Sequence, residues 1–212
     1  MPKLKAALIG HSFVRRYAED RTGSSRPSPA IAASKMHVNE LFSKVHVFGN
    51  DSFTIPQMRN NIHRAGALSL DCIVINTGSN DLCQRQCDID DLVISLIDEA
   101  KFLLDSGARH ITLLGVASRT RCREVTVFTF NERAQHFNRS LREAAEMETG
   151  IEFMYMKGFW RDTGGAELPV SRWSDDGIHP AVSETKREAG MEKYHRLIRR
   201  CLMRGAHFVH RS

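Results

Sequence analysis

A chain of 212 residues, 42% hydrophobic and 26% charged, is long enough to bury one sizeable core and short for two, so a single soluble globular domain over residues 1–212 is expected. Its five scattered cysteines, Cys72, Cys83, Cys87, Cys122 and Cys201, argue against a secreted disulfide framework and predict reduced thiols. A formal charge of +5 permits contact with nucleic acid, but the basic residues are spread out, and the clusters Arg119/Arg121/Arg123 and Arg196 to Arg204 lack interleaved aromatics, so both read as solvated surface.

Met1 to Ile9 begins basic and carries only a short apolar run, too short for a signal-peptide core or a bilayer span; cytosol or nucleus is the expectation. That run, Leu4 to Ile9, is the first of five. The others are Lys44 to Phe48, Cys72 to Asn76, Ile111 to Val116 and Ile151 to Met156, and continuous apolar runs of this length predict strands buried on both faces. Glu19 to Ser34, rich in Ser, Gly and Pro, reads as a loop. Asp90 to Ser106 is the clearest helix: Leu92, Val93, Leu96, Ile97, Ala100, Leu103 and Leu104 form one stripe, with acidic residues at its start and Gly107 at its stop. A second helix runs from Thr129 or Asn131 to about Glu148, Tyr155 to Asp176 reads as a loop, and a third helix runs from Val182 to about Leu202. Residues 203–212 read as a loose basic tail. This alternation predicts βαβ units around a mostly parallel sheet, with any ligand at the carboxyl ends of its strands.

Three turns on that rim carry chemistry. In Gly10-His11-Ser12, the serine sits at a strand-to-helix turn, where a hydroxyl is either a helix cap or a nucleophile lifted from the sheet beside backbone N–H donors. In Thr77-Gly78-Ser79-Asn80-Asp81, small residues let the backbone approach a ligand and Asn80 can donate toward an oxyanion; an ordinary capping turn reads the same way. In Trp173-Ser174-Asp175-Asp176-Gly177-Ile178-His179-Pro180, a histidine able to take a serine proton lies three residues after a carboxylate able to orient it. Cys83 and Cys87 form a CxxxC pair with no second pair at ligand spacing, so no metal is expected.

Gly10-x-Ser12, Gly78-x-Asn80-Asp81 and Asp176-x-x-His179 resemble blocks I, III and V of the SGNH (GDSL-type) hydrolase superfamily in order and spacing over nearly the whole chain. The resemblance implies a flavodoxin-like three-layer α/β/α sandwich around a five-stranded, mostly parallel sheet. It implies Ser12 as nucleophile, His179 as general base and then acid, Asp176 as its orienting carboxylate, and Asn80 with the Ser12 N–H as oxyanion donors. No metal or organic cofactor is implied, and the substrate is a small-molecule carboxylic ester. Two positions depart from the pattern. His11 stands where the family usually has Asp, and is expected to be an exposed imidazole beside the site. Block II, which lends a further oxyanion N–H, reads Phe48-Gly49-Asn50-Asp51-Ser52, leaving Gly49 and Ser52 as alternatives. The competing expectation is a catalytically weak domain of the same fold, kept for binding or assembly near nucleic acid, as in proteins of invertebrate mobile elements.

Overall fold

The computed structural model describes residues 2–23, 29–156, 174, 176, 178–180, 182 and 190–211. In chain order the elements are β1 (Leu4–Gly10), α1 (Ser12–Thr22), β2 (Ala30–Ala32), a 3-10 turn (Ala33–Met36), β3 (Phe42–Gly49), α2 (Ile55–Gly66), β4 (Cys72–Asn76), α3 (Ile89–Asp105), β5 (His110–Leu114), α4 (Val127–Glu146), β6 (Ile151–Met154) and α5 (Gly190–Arg211). The strands form one sheet in the order β2-β3-β1-β4-β5-β6, and every neighbouring pair is parallel except β2 with β3.

The central strands are apolar on both sides because both faces are covered. In β1, Leu4, Ala6 and Leu8 point toward α1 and α5, while Ala7 and Ile9 point toward α2, α3 and α4. The same period of two sends Cys72 and Val74 of β4 one way and Ile73 and Ile75 the other. Helix α3 starts where Asp88 accepts from the Asp90 and Asp91 amides at 3.0 and 3.1 Å. It ends at Gly107, whose positive φ of 101° turns the chain back toward β5.

The structure corrects two expectations. The sheet has six strands, because Ala30–Ala32, inside the stretch read as a loop, adds antiparallel to the β3 edge with Ile31 buried; three residues are too few to show a period. Residues 203–211 are the last turns of α5, not a loose tail. Leu202, Ala206 and Val209 are buried and continue the stripe of Tyr194 and Ile198, while the arginines take the other face. The region expected as the start of that helix, 183–189, and most of the 155–176 loop lie outside the described residues. Among the described residues, no helix is long and apolar enough to cross a membrane.

Gly10 closes β1 where the chain squeezes between β4 and α1. A Cβ there would stand 2.3 Å from the Asn76 carbonyl oxygen and 2.6 Å from Val14 Cγ2. Because the first of these neighbours is backbone, Gly10→Ala is expected to destabilise the fold by about 1–3 kcal/mol or more, measured by urea unfolding. A loss below about 0.5 kcal/mol, the range of neutral surface changes, would show that the junction can open.

Candidate active site

The three turns meet at the carboxyl ends of β1 and β4, neighbours from which the chain continues to opposite sides of the sheet. This is the point of reversed strand order where α/β sheets bind ligands. His11 follows Gly10 and caps α1. Its amide donates to Asn76 O at 3.3 Å, its Nδ1 accepts from the Phe13 amide at 3.4 Å, and its Nε2 lies 3.3 Å from Ser79 Oγ. The ring is 1% exposed, which corrects the expectation of an exposed imidazole. Burial, followed by the positive fields of Arg119 and His179, lowers its pKa to about 3. The cap requires the same state, since an accepting Nδ1 places the proton on Nε2, which then donates to Ser79.

With the cap supplied by His11, the hydroxyl of Ser12 is released from that duty. Ser12 Oγ lies 2.7 Å from His179 Nε2, and His179 Nδ1 lies 2.6 Å from Asp176 Oδ2. Asp176 Oδ1 accepts from Ser174 Oγ and from the Ile178 and His179 amides at 2.7, 2.8 and 2.9 Å. Burial works to raise the Asp176 pKa, but these donors and the His179 ring outweigh it and hold the carboxyl well below its usual range. His179 shifts down from 6.5: burial dominates, the bond to Asp176 opposes it, and Arg16 and Arg119 add to the lowering. At neutral pH, then, an uncharged imidazole directs its lone pair at the Ser12 hydroxyl.

Ser12 is the first residue of α1, so its N–H has no intrahelical acceptor. It opens onto a cavity of about 420 Å³ that Asn80, Ser52 and His179 also line. Asn80 Nδ2 donates to Phe53 O at 3.0 Å and its Oδ1 accepts from Arg119 at 3.3 Å, which fixes the amide and leaves its second N–H without an acceptor among the described residues. Gly49 and Ser52, alternatives in sequence, separate in space. Gly49 pairs with Gly10 in the sheet, and its missing side chain makes room for Arg15, whose amide nitrogen would stand 2.6 Å from an added Cβ. Ser52 is in the cavity wall with a positive φ of 57°.

Two residues play parts beyond those read from sequence: Arg119, and Asp81 of the Gly78-x-Asn80-Asp81 motif. Arg119, expected on a solvated surface, is 6% exposed. It donates to Ser79 Oγ at 2.6 Å and Cys83 Sγ at 2.8 Å, and its guanidinium carbon stands 4.9 Å from the Phe130 ring centre. Asp81 accepts from the Ile55 amide at 3.0 Å and so ties the β4 turn to the start of α2; burial lifts its pKa to about 6. The partners of both are distant in sequence, so these contacts left no local signal. Among the described residues, no cluster of three or more His, Cys, Asp or Glu is placed to hold a metal ion. A larger hollow of about 1100 Å³, beside α5 at the amino ends of β5 and β6, contains none of the motif residues.

No protein-family profile matches the sequence, and no curated protein matches it. Solved structures do. A GDSL-like lipase from Bacteroides thetaiotaomicron superposes with a TM-score of 0.69 at 15% identity, covering 96% of this chain and 87% of that one. The chain has the SGNH hydrolase fold. A putative acylhydrolase from Bacteroides fragilis gives a TM-score of 0.67 at 13% identity over 97% of this chain and 90% of that one. A variant of an acetyl-xylooligosaccharide esterase from Geobacillus gives 0.67 at 15% identity over 97% and 95%. This SGNH fold therefore carries a histidine cap at the turn that presents Ser12.

The buried cap has a consequence for stability. Folded His11 resists protonation down to about pH 3, whereas the unfolded chain takes up that proton near 6.5. Its contribution is complete above 6.5 and is lost as pH falls toward 3, at up to about 1.4 kcal/mol per pH unit. His11→Asn keeps an acceptor for the Phe13 amide and binds no proton. The stability lost between pH 7 and 5 is therefore expected to be about 2 kcal/mol smaller in the variant by urea unfolding. Equal losses would mean that His11 protonates in the folded protein.

Proposed function

We propose that the protein is a serine hydrolase of carboxylic esters. The observation that carries this reading is the continuous chain from Ser12 Oγ through His179 to Asp176, with contacts of 2.7 and 2.6 Å. Ser12 Oγ attacks the ester carbonyl carbon as His179 Nε2 takes its proton, and Asp176 keeps Nδ1 protonated and stabilises the imidazolium. The oxyanion is met by the Ser12 N–H, the second Asn80 N–H and the Ser52 N–H; Ser52 is preferred to Gly49 because it shares the cavity with Ser12. The alcohol leaves with the proton from His179. Water, deprotonated by the same imidazole, then cleaves the acyl-serine ester and releases the acid.

Substrate size follows from the cavity. Its described lining is dominated by charged and hydroxyl side chains, with Ile178 the one aliphatic residue among them, and about 420 Å³ suits a compact polar ester better than a long acyl chain. An acetyl or other short acyl group is the reading, in keeping with acetyl esterases among the similar folds.

Ser12→Ala and His179→Ala are expected to lower kcat/KM for p-nitrophenyl acetate by about 10⁴-fold or more, with unchanged circular dichroism. A Ser12→Ala variant within tenfold of wild type would end the assignment. Because the folded His179 pKa lies below 6.5, activity should be full at neutral pH and fall only when pH drops through that lowered value. Arg16, 3.6 Å from Asp176, disfavours the imidazolium, so Arg16→Ala should move the acid limb of the profile upward; a shift downward contradicts this electrostatic account.

A further inference from the structure

We propose that Cys83 and Cys122 are a thiol pair that closes to a reversible disulfide in the presence of a low-molecular-weight disulfide, and that closure withdraws Cys83 from Arg119 and so loosens Asn80. The coupling to catalysis rests on the ester-hydrolase reading; the disulfide itself does not. The two Sγ atoms are 3.7 Å apart, and both residues are half-buried rather than sealed in the core. Bond formation requires the sulfurs to approach by about 1.7 Å, and Cys122 lies on the irregular segment between β5 and α4, where its backbone is not held by a helix or a ladder. Cys83 also forms part of the active-site cavity wall, so a small oxidant that enters this cavity reaches it.

The reactive partner is Cys83. Its sulfur accepts from Arg119 Nη1 at 2.8 Å, and a sulfur facing a guanidinium on one side and a thiol on the other is best satisfied as the thiolate. The Cys122 hydrogen bond, against burial and with help from Arg119, pulls the Cys83 pKa down, and the same contact pushes Cys122 up. The order of events follows. Cys83 thiolate attacks one sulfur of oxidised glutathione; that S–S bond breaks and a glutathione thiolate leaves with the electron pair. Cys122 gives its proton to this thiolate and attacks Cys83 Sγ, expelling the second glutathione. The protein loses two electrons and one glutathione disulfide gains them.

The consequence passes through Arg119. This guanidinium spans Cys83, Ser79 Oγ and Asn80 Oδ1. A disulfide sulfur is neutral and a poor acceptor, so closure removes the anionic partner that anchors Nη1 and with it the arrangement that aims the Asn80 amide. Arg119 is a positioning residue here, and the Cys83 charge holds it.

The test treats the folded protein with oxidised glutathione, maps disulfides by peptide mass spectrometry, and follows p-nitrophenyl acetate hydrolysis. Wild type is expected to yield a Cys83–Cys122 peptide cross-link, and Cys122→Ser to stop at a mixed disulfide on Cys83. Cys83→Ser should form neither. The cross-linked protein should turn over about tenfold more slowly, with kcat affected more than KM, and dithiothreitol should restore the rate. A cross-link through Cys87, a stable mixed disulfide in wild type, or no reaction at Cys83 would each overturn the thiol pair. A full Cys83–Cys122 cross-link with unchanged turnover would overturn the coupling through Arg119. If the reduced protein hydrolyses no ester, the ester-hydrolase reading fails, while the cross-link still decides the thiol pair.

Discussion

A neutral imidazole at the end of β1 ties the β1–α1 turn to the end of β4 and its following turn, two segments more than sixty residues apart in the chain. His11 binds the last residue of β4 through its amide, the first turn of α1 through Nδ1 and the β4 turn through Nε2. A carboxylate could accept from the α1 amides, but it could not at the same time donate to Ser79. The substitution of His for the Asp usual in the resembling motif therefore exchanges a charge for a two-sided connector. Its cost is that the connector fails on protonation, because burial beside Arg119 and His179 leaves no room for another positive charge.

The same economy of charge governs the surrounding shell. Arg119 is a buried cation with no carboxylate partner among the described residues; it is distributed over a hydroxyl, an amide oxygen, a sulfur and the face of Phe130. Dispersed partners of this kind stabilise a buried charge only if all stay in place. Asp81, by contrast, is held by a backbone amide at the start of α2 and is partly relieved of its charge by burial. Successive residues of the turn 78–83 thus face different elements, and Asn80 and Cys83 are the two of them that reach the cavity wall.

Much of this arrangement could be read before any coordinates. The buried strands announced themselves as apolar runs because both sides of the sheet are covered, and the acidic start and Gly107 marked the ends of α3 by local chemistry alone. Ser12, Asn80, Asp176 and His179 stood out because turns on one rim carried complementary groups. What stayed hidden was set by distant partners. His11 looked exposed since nothing near it in sequence signals Ser79 or the cap geometry. Arg119 looked solvated since Ser79, Cys83 and Phe130 are far along the chain. The last turns of α5 looked like a tail because arginines interrupt the Leu202, Ala206 and Val209 stripe. Gly49 and Ser52 stood as alternatives because the close approach of Arg15 to β3, which needs the bare Gly49, leaves no mark in the sequence.

The sheet ends in two short strands, three residues in β2 and four in β6. Open strand edges invite the edges of other molecules, and a long flat one is a template for self-association. Here the antiparallel β2 turns into a 3-10 helix after Ala32, while β6 places Glu152 in an ion pair with Arg204 of α5. The parallel core that positions Ser12 can therefore be extensive and strongly apolar, because its border strands among the described residues, three and four residues long, offer another chain few consecutive peptide groups to extend it.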